Sequence, residues 1–220
     1  RLRTVTGVQT CALPILVFDE TITGFRYANG GAQEYFNVIP DLATFGKGLA
    51  NGYPLSAIAG RANVMKLMEE IFFSFTFGGE TLSLAAALAT MSKLQREPVI
   101  DGIRRSGVAI VEGLNALITK YGVQDMFSVG GLPAWSFFVV KDTRHYSAWQ
   151  IKTLFLQEMF ARNILSLGSH NLSYVHSETE ISLLLAAYDQ VIPMLKQAND
   201  ERNLESRLCC APLEPLFKLR

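Results

Sequence analysis

Cysteine is scarce in this chain: Cys11, Cys209 and Cys210 are the only three among 220 residues. Three thiols build no disulfide framework, which excludes a disulfide-stapled secreted scaffold and leads us to expect a reducing, cytoplasmic setting. No apolar run reaches the roughly 18 residues of a membrane-crossing helix, so no membrane partner is expected. An excess of one charge sign is missing as well, since twenty Lys and Arg balance twenty Asp and Glu. Without a basic cluster no nucleic-acid partner is expected, and without an acidic run no solvating tail. Repeats and low-complexity linkers are also absent. What is present, 49% hydrophobic and 18% charged residues, is ordinary globular composition, enough for one large domain or two small ones.

An initiating methionine is lacking too. Residues 5–15 read VTGVQTCALPI, which matches the in-frame translation of a common sequencing-adapter oligonucleotide. Such scars are set aside before fold reasoning. Residues 1–15 are therefore expected to be non-native, and the chain to be a gene read from its middle.

Short apolar runs carry the organisation that follows. Leu16-Val17-Phe18 reads as a buried strand whose carboxyl end presents Asp19 and Glu20, with a loop over residues 21–26. Residues 41–45 form a second strand candidate running into Gly46-Lys47-Gly48, and Asn51-Gly52 is turn chemistry. Residues 55–60 read as a third buried strand, 62–71 as a helix and 72–77 as an extended segment ending at Gly78-Gly79. An Ala- and Leu-rich helix over 81–94 should be buried on most sides. A longer helix over 98–121 should end at Gly122 as its C-terminal glycine. Gly130-Gly131 leads into a strand over 134–140, and an amphipathic helix spans 147–163. Ser177 and Glu180 form a capping box for a last helix, which Pro193 should kink or end. The domain boundary is drawn at Gly122, giving residues 16–122 and 123–220.

Chemistry concentrates on Asp19 and Lys47, each at the end of a short apolar strand, 28 residues apart. Ligands of open α/β sheets bind outside the carboxyl ends of the strands. A carboxylate there can keep a pyridine nitrogen protonated, because opposite charges about 4 Å apart interact by roughly 4 kcal/mol at an effective dielectric of 20. A lysine beside it can form an imine with an aldehyde and then shuttle protons. On spacing alone the pair is equally compatible with a strand-end Asp and a surface Lys. A phosphate-binding P-loop at Gly46-Lys47 is excluded, because Asp41 stands where its first glycine belongs and Gly48 where Ser or Thr belongs. His170, His176 and Cys209-Cys210 match no standard zinc spacing; residues 170–174 read instead as a turn and strand.

Residues 17–26, VFDETITGFR, resemble the VFDE-x-x-TGFR segment of class III aminotransferases. Residues 40–49, PDLATFGKGL, resemble their lysine segment, with Gly52-Tyr53-Pro54-Leu55 following in similar form. Residues 75–79, FTFGG, are similar to their T-[FL]-[SG]-G segment. The likeness runs from about Leu16 to the C-terminus and is greatest to glutamate-1-semialdehyde 2,1-aminomutase-like proteins. It implies an α/β fold of the fold-type I class that includes aspartate aminotransferase: the C-terminal part of a large cofactor domain, followed by a small α+β domain. It implies pyridoxal 5'-phosphate as cofactor, Lys47 as the Schiff-base lysine and proton carrier, and Asp19 as partner of the pyridinium nitrogen. Thr76 would bind the cofactor phosphate of the neighbouring subunit in a homodimer, aided by free amides at the helix start that follows.

Around that pair, Glu20 is expected in a structural salt bridge, Arg26 packed beside the strand end, and Asp41 pinning the strand that leads to Lys47. Tyr53 and Phe77 either line the site or pack in the core. The family's glycine-rich phosphate loop and ring-stacking aromatic would precede Leu16. The arginine-containing LR-x-x-PP segment of many ω-aminotransferases is absent, which favours the aminomutase-like branch. The expected activity of the intact parent is therefore amino-group transfer on a small amino or oxo substrate. The alternatives are transfer between two substrates, an amino sugar or amino acid and a keto acid, and, for the polypeptide as it stands, an inactive fragment.

Overall fold

Val17–Glu20 forms the first strand, β1, and pairs in parallel with β2 (Leu42–Phe45), so that Asp19 lies opposite Thr44 and Glu20 opposite Phe45. β3 (Ala57–Gly60) runs antiparallel on the other side of β2, giving the order β1-β2-β3. The computed structural model describes residues 15–72 and 75–215, so the segment read as adapter-derived lies, apart from Ile15, outside the described residues. The chain divides into two compact units, Arg1–Ile100 and Asp101–Arg220.

In the first unit Asp41 pins the sheet as expected. One oxygen, Oδ2, accepts from the Leu16 amide at 2.8 Å, and Oδ1 pairs with Arg61 Nε at 3.0 Å. A short helix, α1 (Ala32–Tyr35), separates β1 from β2. Both edge strands depart from the reading of buried runs, since Leu16 and Val17 at β1 and every residue of β3 are exposed. Residues 62–71 do not form one helix. They make a single turn, α2 (Ala62–Met65), and then a 3-10 turn at Lys66–Glu69. No residue of α2 is buried and no side chain caps it, so tertiary packing adds nothing to hold a longer helix. Residues 73 and 74 of the expected extended segment lie outside the described residues, and 76–79 form a turn.

Helix α3 (Thr81–Arg96) forms where the Ala- and Leu-rich run predicts it, but buries only Ser83, Ala87 and Leu94. Leu82, Leu84 and Leu88 are exposed. The unit's small core joins Leu49, Ala50 and Ala87, with Phe25, Phe45, Leu55, Ala86 and Met91 packed against them.

The second unit takes in nearly all of α4 (Val99–Tyr121). The division thus falls after Ile100, at the opposite end of this helix from Gly122. Packing explains it: Ile103, Ile110, Leu114 and Ile118 are buried on one face, and Tyr121 and Lys120 bond Asp189 further along the unit. Gly122 ends the helix with φ of 63°, as the sequence predicts. An antiparallel sheet follows, β4 (Phe127–Leu132), β5 (Trp135–Val140) and β6 (Ser169–Asn171), in the order β4-β5-β6. Gly130 and Gly131 are inside β4, opposite Phe137 and Ser136, rather than in a lead-in loop.

Helices α5 (Ala148–Phe160) and α6 (Glu178–Asp200) both open on a capping box, at Ser147 with Gln150 and at Ser177 with Glu180. Contrary to expectation, α6 continues through Pro193 to Asp200. Val191, Ile192, Leu195 and Ala198 are fully buried around the proline, and this packing outweighs the hydrogen bond that the proline removes. Phe127, Phe138, Phe155 and Tyr188 form the centre, with successive ring centroids 4.9, 5.0 and 5.6 Å apart. No helix among the described residues is long and apolar enough to cross a membrane.

Beside those rings lies a buried polar chain. His170 Nδ1 is 2.9 Å from Ser136 Oγ, and its Nε2 is 3.0 Å from Tyr188 Oη. Burial pushes the His170 pKa down from 6.5 to about 4. The unfolded chain therefore binds a proton between those values that the folded chain refuses, and stability falls as pH falls through this window. Above pH 6.5 the residue contributes no pH dependence. Both tryptophans, Trp135 and Trp149, report on this unit. Urea unfolding followed by their fluorescence should lose up to about 3 kcal/mol between pH 6.5 and 4 from this residue. The same profile in His170→Gln should be flatter by that amount, and equal slopes would disprove the assignment.

Candidate active site

Lys47 is the first residue after β2 to turn away from the strand. Gly46 leaves the strand in extended backbone, and Lys47–Leu49 closes a 3-10 turn with the Leu49 amide bonded to the Gly46 carbonyl at 2.9 Å. Lys47 itself has φ of 42°, in the left-handed region that a lysine adopts at a cost of about 1 to 3 kcal/mol. Packing of the residues that follow sustains this conformation. Leu49 and Ala50 are 6% and 1% exposed and are pressed against Ala87 of α3, while the Lys47 side chain stands in solvent. Strain of this kind collects where a side chain must be held for chemistry.

Asp19 arrives from the adjacent strand. Its Oδ1 accepts from the Thr21 amide at 3.0 Å and from the Thr44 hydroxyl at 3.3 Å. Hydrogen bonds from Thr21, hydroxyl and amide, hold the Asp19 carboxyl below its ordinary range, helped by the Thr44 hydroxyl and the charge of Lys47. The parallel register thus brings an ionised carboxylate and a lysine to the same end of neighbouring strands.

Glu20 points the other way, as strand alternation requires. It is 1% exposed, and its oxygens accept from the Ala32 amide at 2.7 Å, the Gln33 amide at 2.8 Å and the Thr23 hydroxyl. The sequence reading placed it in a salt bridge; the structure gives it the start of α1 to hold. Gly31 makes the approach possible, with φ of 82° and room only for hydrogen where a Cβ would meet the Glu20 carboxylate at 2.6 Å. Arg26 is half-buried with Nε 3.4 Å from the Ile22 carbonyl, beside the strand end.

Thr76 stands on a different element, the exposed turn 76–79 before α3. The helix amides beyond it are not free as expected. Glu80 caps them, with Oε1 accepting from the Leu82 amide at 2.9 Å and Oε2 from the Ser83 amide at 2.6 Å. A carboxylate so placed occupies the donors that a phosphate would use. Tyr53 and Phe77 are exposed, so neither is a core residue of this unit. Thr44 escaped the sequence reading, because only the register with Asp19 reveals its contact.

The family model described as aminotransferase class III matches residues 7–171. The chain belongs to the class III aminotransferases. Its relatives include the glutamate-1-semialdehyde 2,1-aminomutase of Methanococcoides burtonii, 31% identical over 187 residues, 79% of this chain and 44% of that protein. The 3-aminobutyryl-CoA aminotransferase of Cloacimonas acidaminovorans is 27% identical over 186 residues, covering 83% and 44%. Among solved structures, the PLP internal aldimine form of the FumI protein of Sphingopyxis sp. MTA144 superposes with a TM-score of 0.76 at 24% identity, over 84% of this chain and 44% of that one. The fold is thus that of the fold-type I transaminases. The chain spans less than half the length of the relatives it matches.

Glu20 provides the sharpest local test. Glu20→Ala should leave two amides at the start of α1 without their acceptor, costing about 3 kcal/mol locally. Hydrogen exchange across residues 31–36 should then quicken about a hundredfold. Unchanged protection would show that the carboxylate does not hold this helix.

Proposed function

We propose that the intact protein to which this chain belongs is a pyridoxal 5'-phosphate enzyme that moves an amino group, on the pattern of glutamate-1-semialdehyde 2,1-aminomutase. The observation that carries this reading is the juxtaposition of Asp19 and Lys47 at the carboxyl ends of parallel neighbours, with Lys47 in left-handed backbone. When bound, the cofactor supplies an aldehyde that condenses with amines and a pyridinium ring that accepts electrons.

The donor set fits that group. Asp19, kept ionised by Thr21 and Thr44, would face the ring nitrogen and hold a proton there. The Lys47 amine, exposed on the turn after β2, would hold the group through its aldehyde and would accept and return a proton at Nζ. Thr76 offers a hydroxyl to the phosphate, and in a homodimer that phosphate belongs to the partner subunit. Because Glu80 occupies the helix amides after Thr76, the Thr76 hydroxyl, and not the helix start, would be the donor offered to a phosphate. Cysteine usage supports a cytoplasmic location.

A second reading is transfer between two substrates, an amino sugar or amino acid and a keto acid. The 27% identity to the 3-aminobutyryl-CoA aminotransferase favours it, whereas the 31% identity to the aminomutase of Methanococcoides burtonii favours the mutase. Turnover of a single substrate with no keto-acid acceptor separates them, and a strict acceptor requirement excludes the mutase. For the 220-residue polypeptide alone, its coverage of 44% of its relatives supports an inactive fragment.

The cofactor assignment is checked by borohydride reduction of the full-length protein with pyridoxal phosphate, followed by peptide mass spectrometry. The label should fall on Lys47, and Lys47→Ala should lose both the label and essentially all turnover. Labelling of another lysine, or an undiminished signal in the variant, would overturn the proposal.

A further inference from the structure

After α6 the chain turns back along α5, and this return carries two adjacent free thiols, Cys209 and Cys210, both exposed. Side chains of α5 hold the main chain on both sides of them. Gln157 Nε2 donates to the Arg207 carbonyl at 3.0 Å, and its Oε1 accepts from the Cys209 amide at 2.8 Å. Further on, the Leu213 amide donates to Thr153 Oγ1 at 2.9 Å. The dithiol is therefore displayed on a tethered segment, in a family whose chemistry as read above uses neither sulfur.

Geometry decides what two such thiols can take. Adjacent Cα atoms across a trans peptide lie about 3.8 Å apart, and disulfides need roughly 4.4 to 6.8 Å. No peptide bond here is cis. Direct sulfur–sulfur closure is therefore disfavoured, while one larger atom bonded to both sulfurs relieves the constraint. Among the described residues no group of three His, Cys, Asp or Glu could surround a metal ion, so the site has two soft donors and no third. Two soft sulfurs suit a thiophilic centre rather than a hard or tetrahedral cation.

We propose that Cys209 and Cys210 form a chelating dithiol for trivalent arsenicals, a modification site separate from the amino-transfer chemistry. With an arsenoxide the step is a condensation. Two S–H bonds and the arsenic–oxygen double bond break, two arsenic–sulfur bonds form, and the oxygen leaves as water with both thiol protons. Arsenic stays trivalent, so no oxidant or reductant is needed.

The test uses the 220-residue chain carrying Cys11→Ser, so that only this pair can react, with phenylarsine oxide as the probe. One phenylarsenic group should load per chain with loss of both titratable thiols. Under excess monothiol it should leave about a hundredfold more slowly than from Cys209→Ser or Cys210→Ser, because the second bond is intramolecular. A small dithiol should release it. Two arsenicals per chain, or release as fast as from the serine variants, would overturn the proposal. So would clean closure to an internal disulfide with glutathione disulfide, since that would refute the spacing argument. The thiol count on the unsubstituted pair stands even where a serine variant fails to fold.

Discussion

The parallel pairing of β1 with β2 is the constraint on which the first unit depends. Setting Asp19 opposite Thr44 and Glu20 opposite Phe45 fixes the carboxyl ends of both strands at one level. Everything chemically distinctive then follows within a few residues. Asp19 finds the Thr44 hydroxyl, Lys47 emerges two residues past the last pair, and Glu20 is sent to the opposite face. A register shift by one residue would exchange the two carboxylates, leaving Glu20 beside Lys47 and Asp19 behind the sheet.

The strain at Lys47 belongs to the same design. A left-handed lysine persists only where its surroundings over-determine it, and here Leu49, Ala50 and Ala87 do so from beneath. Much of the remaining apolar surface of the unit, including Leu82, Leu84 and Leu88, is exposed, so that small cluster bears directly on the turn. The second unit is built differently, around stacked aromatic rings and the neutral His170 chain. Its one strongly shifted imidazole is buried, whereas Asp19 and Lys47 act on each other only as charges near solvent.

How much of this was legible in the sequence depended on whether the determinant was local. The strands before Asp19 and Lys47, the Ser177–Glu180 capping box and Gly122 are read within a few residues and appear where the sequence predicts them; the Ser147–Gln150 box is found only in the structure. Glu20 was misassigned because its partners are the amides of Ala32 and Gln33, reached through the positive φ of Gly31. Thr44 was invisible until register was known. Glu80 is a local capping residue that the reading passed over in favour of free amides. Burial was the least legible property: β3 and α3 have the composition of buried elements and stand largely exposed. Pro193 failed as a stop signal because buried neighbours carry α6 across it.

The β1–β2 register brings Asp19 and Lys47 to one end of the sheet, and the proposed function has them share one cofactor ring. It is tested most directly by nitrogen NMR of pyridoxal phosphate labelled at the ring nitrogen and bound to the full-length protein. A protonated ring nitrogen is expected across the neutral pH range, with loss of that proton in Asp19→Ala and the bond to Lys47 retained. A ring nitrogen whose protonation is the same in both proteins would contradict it.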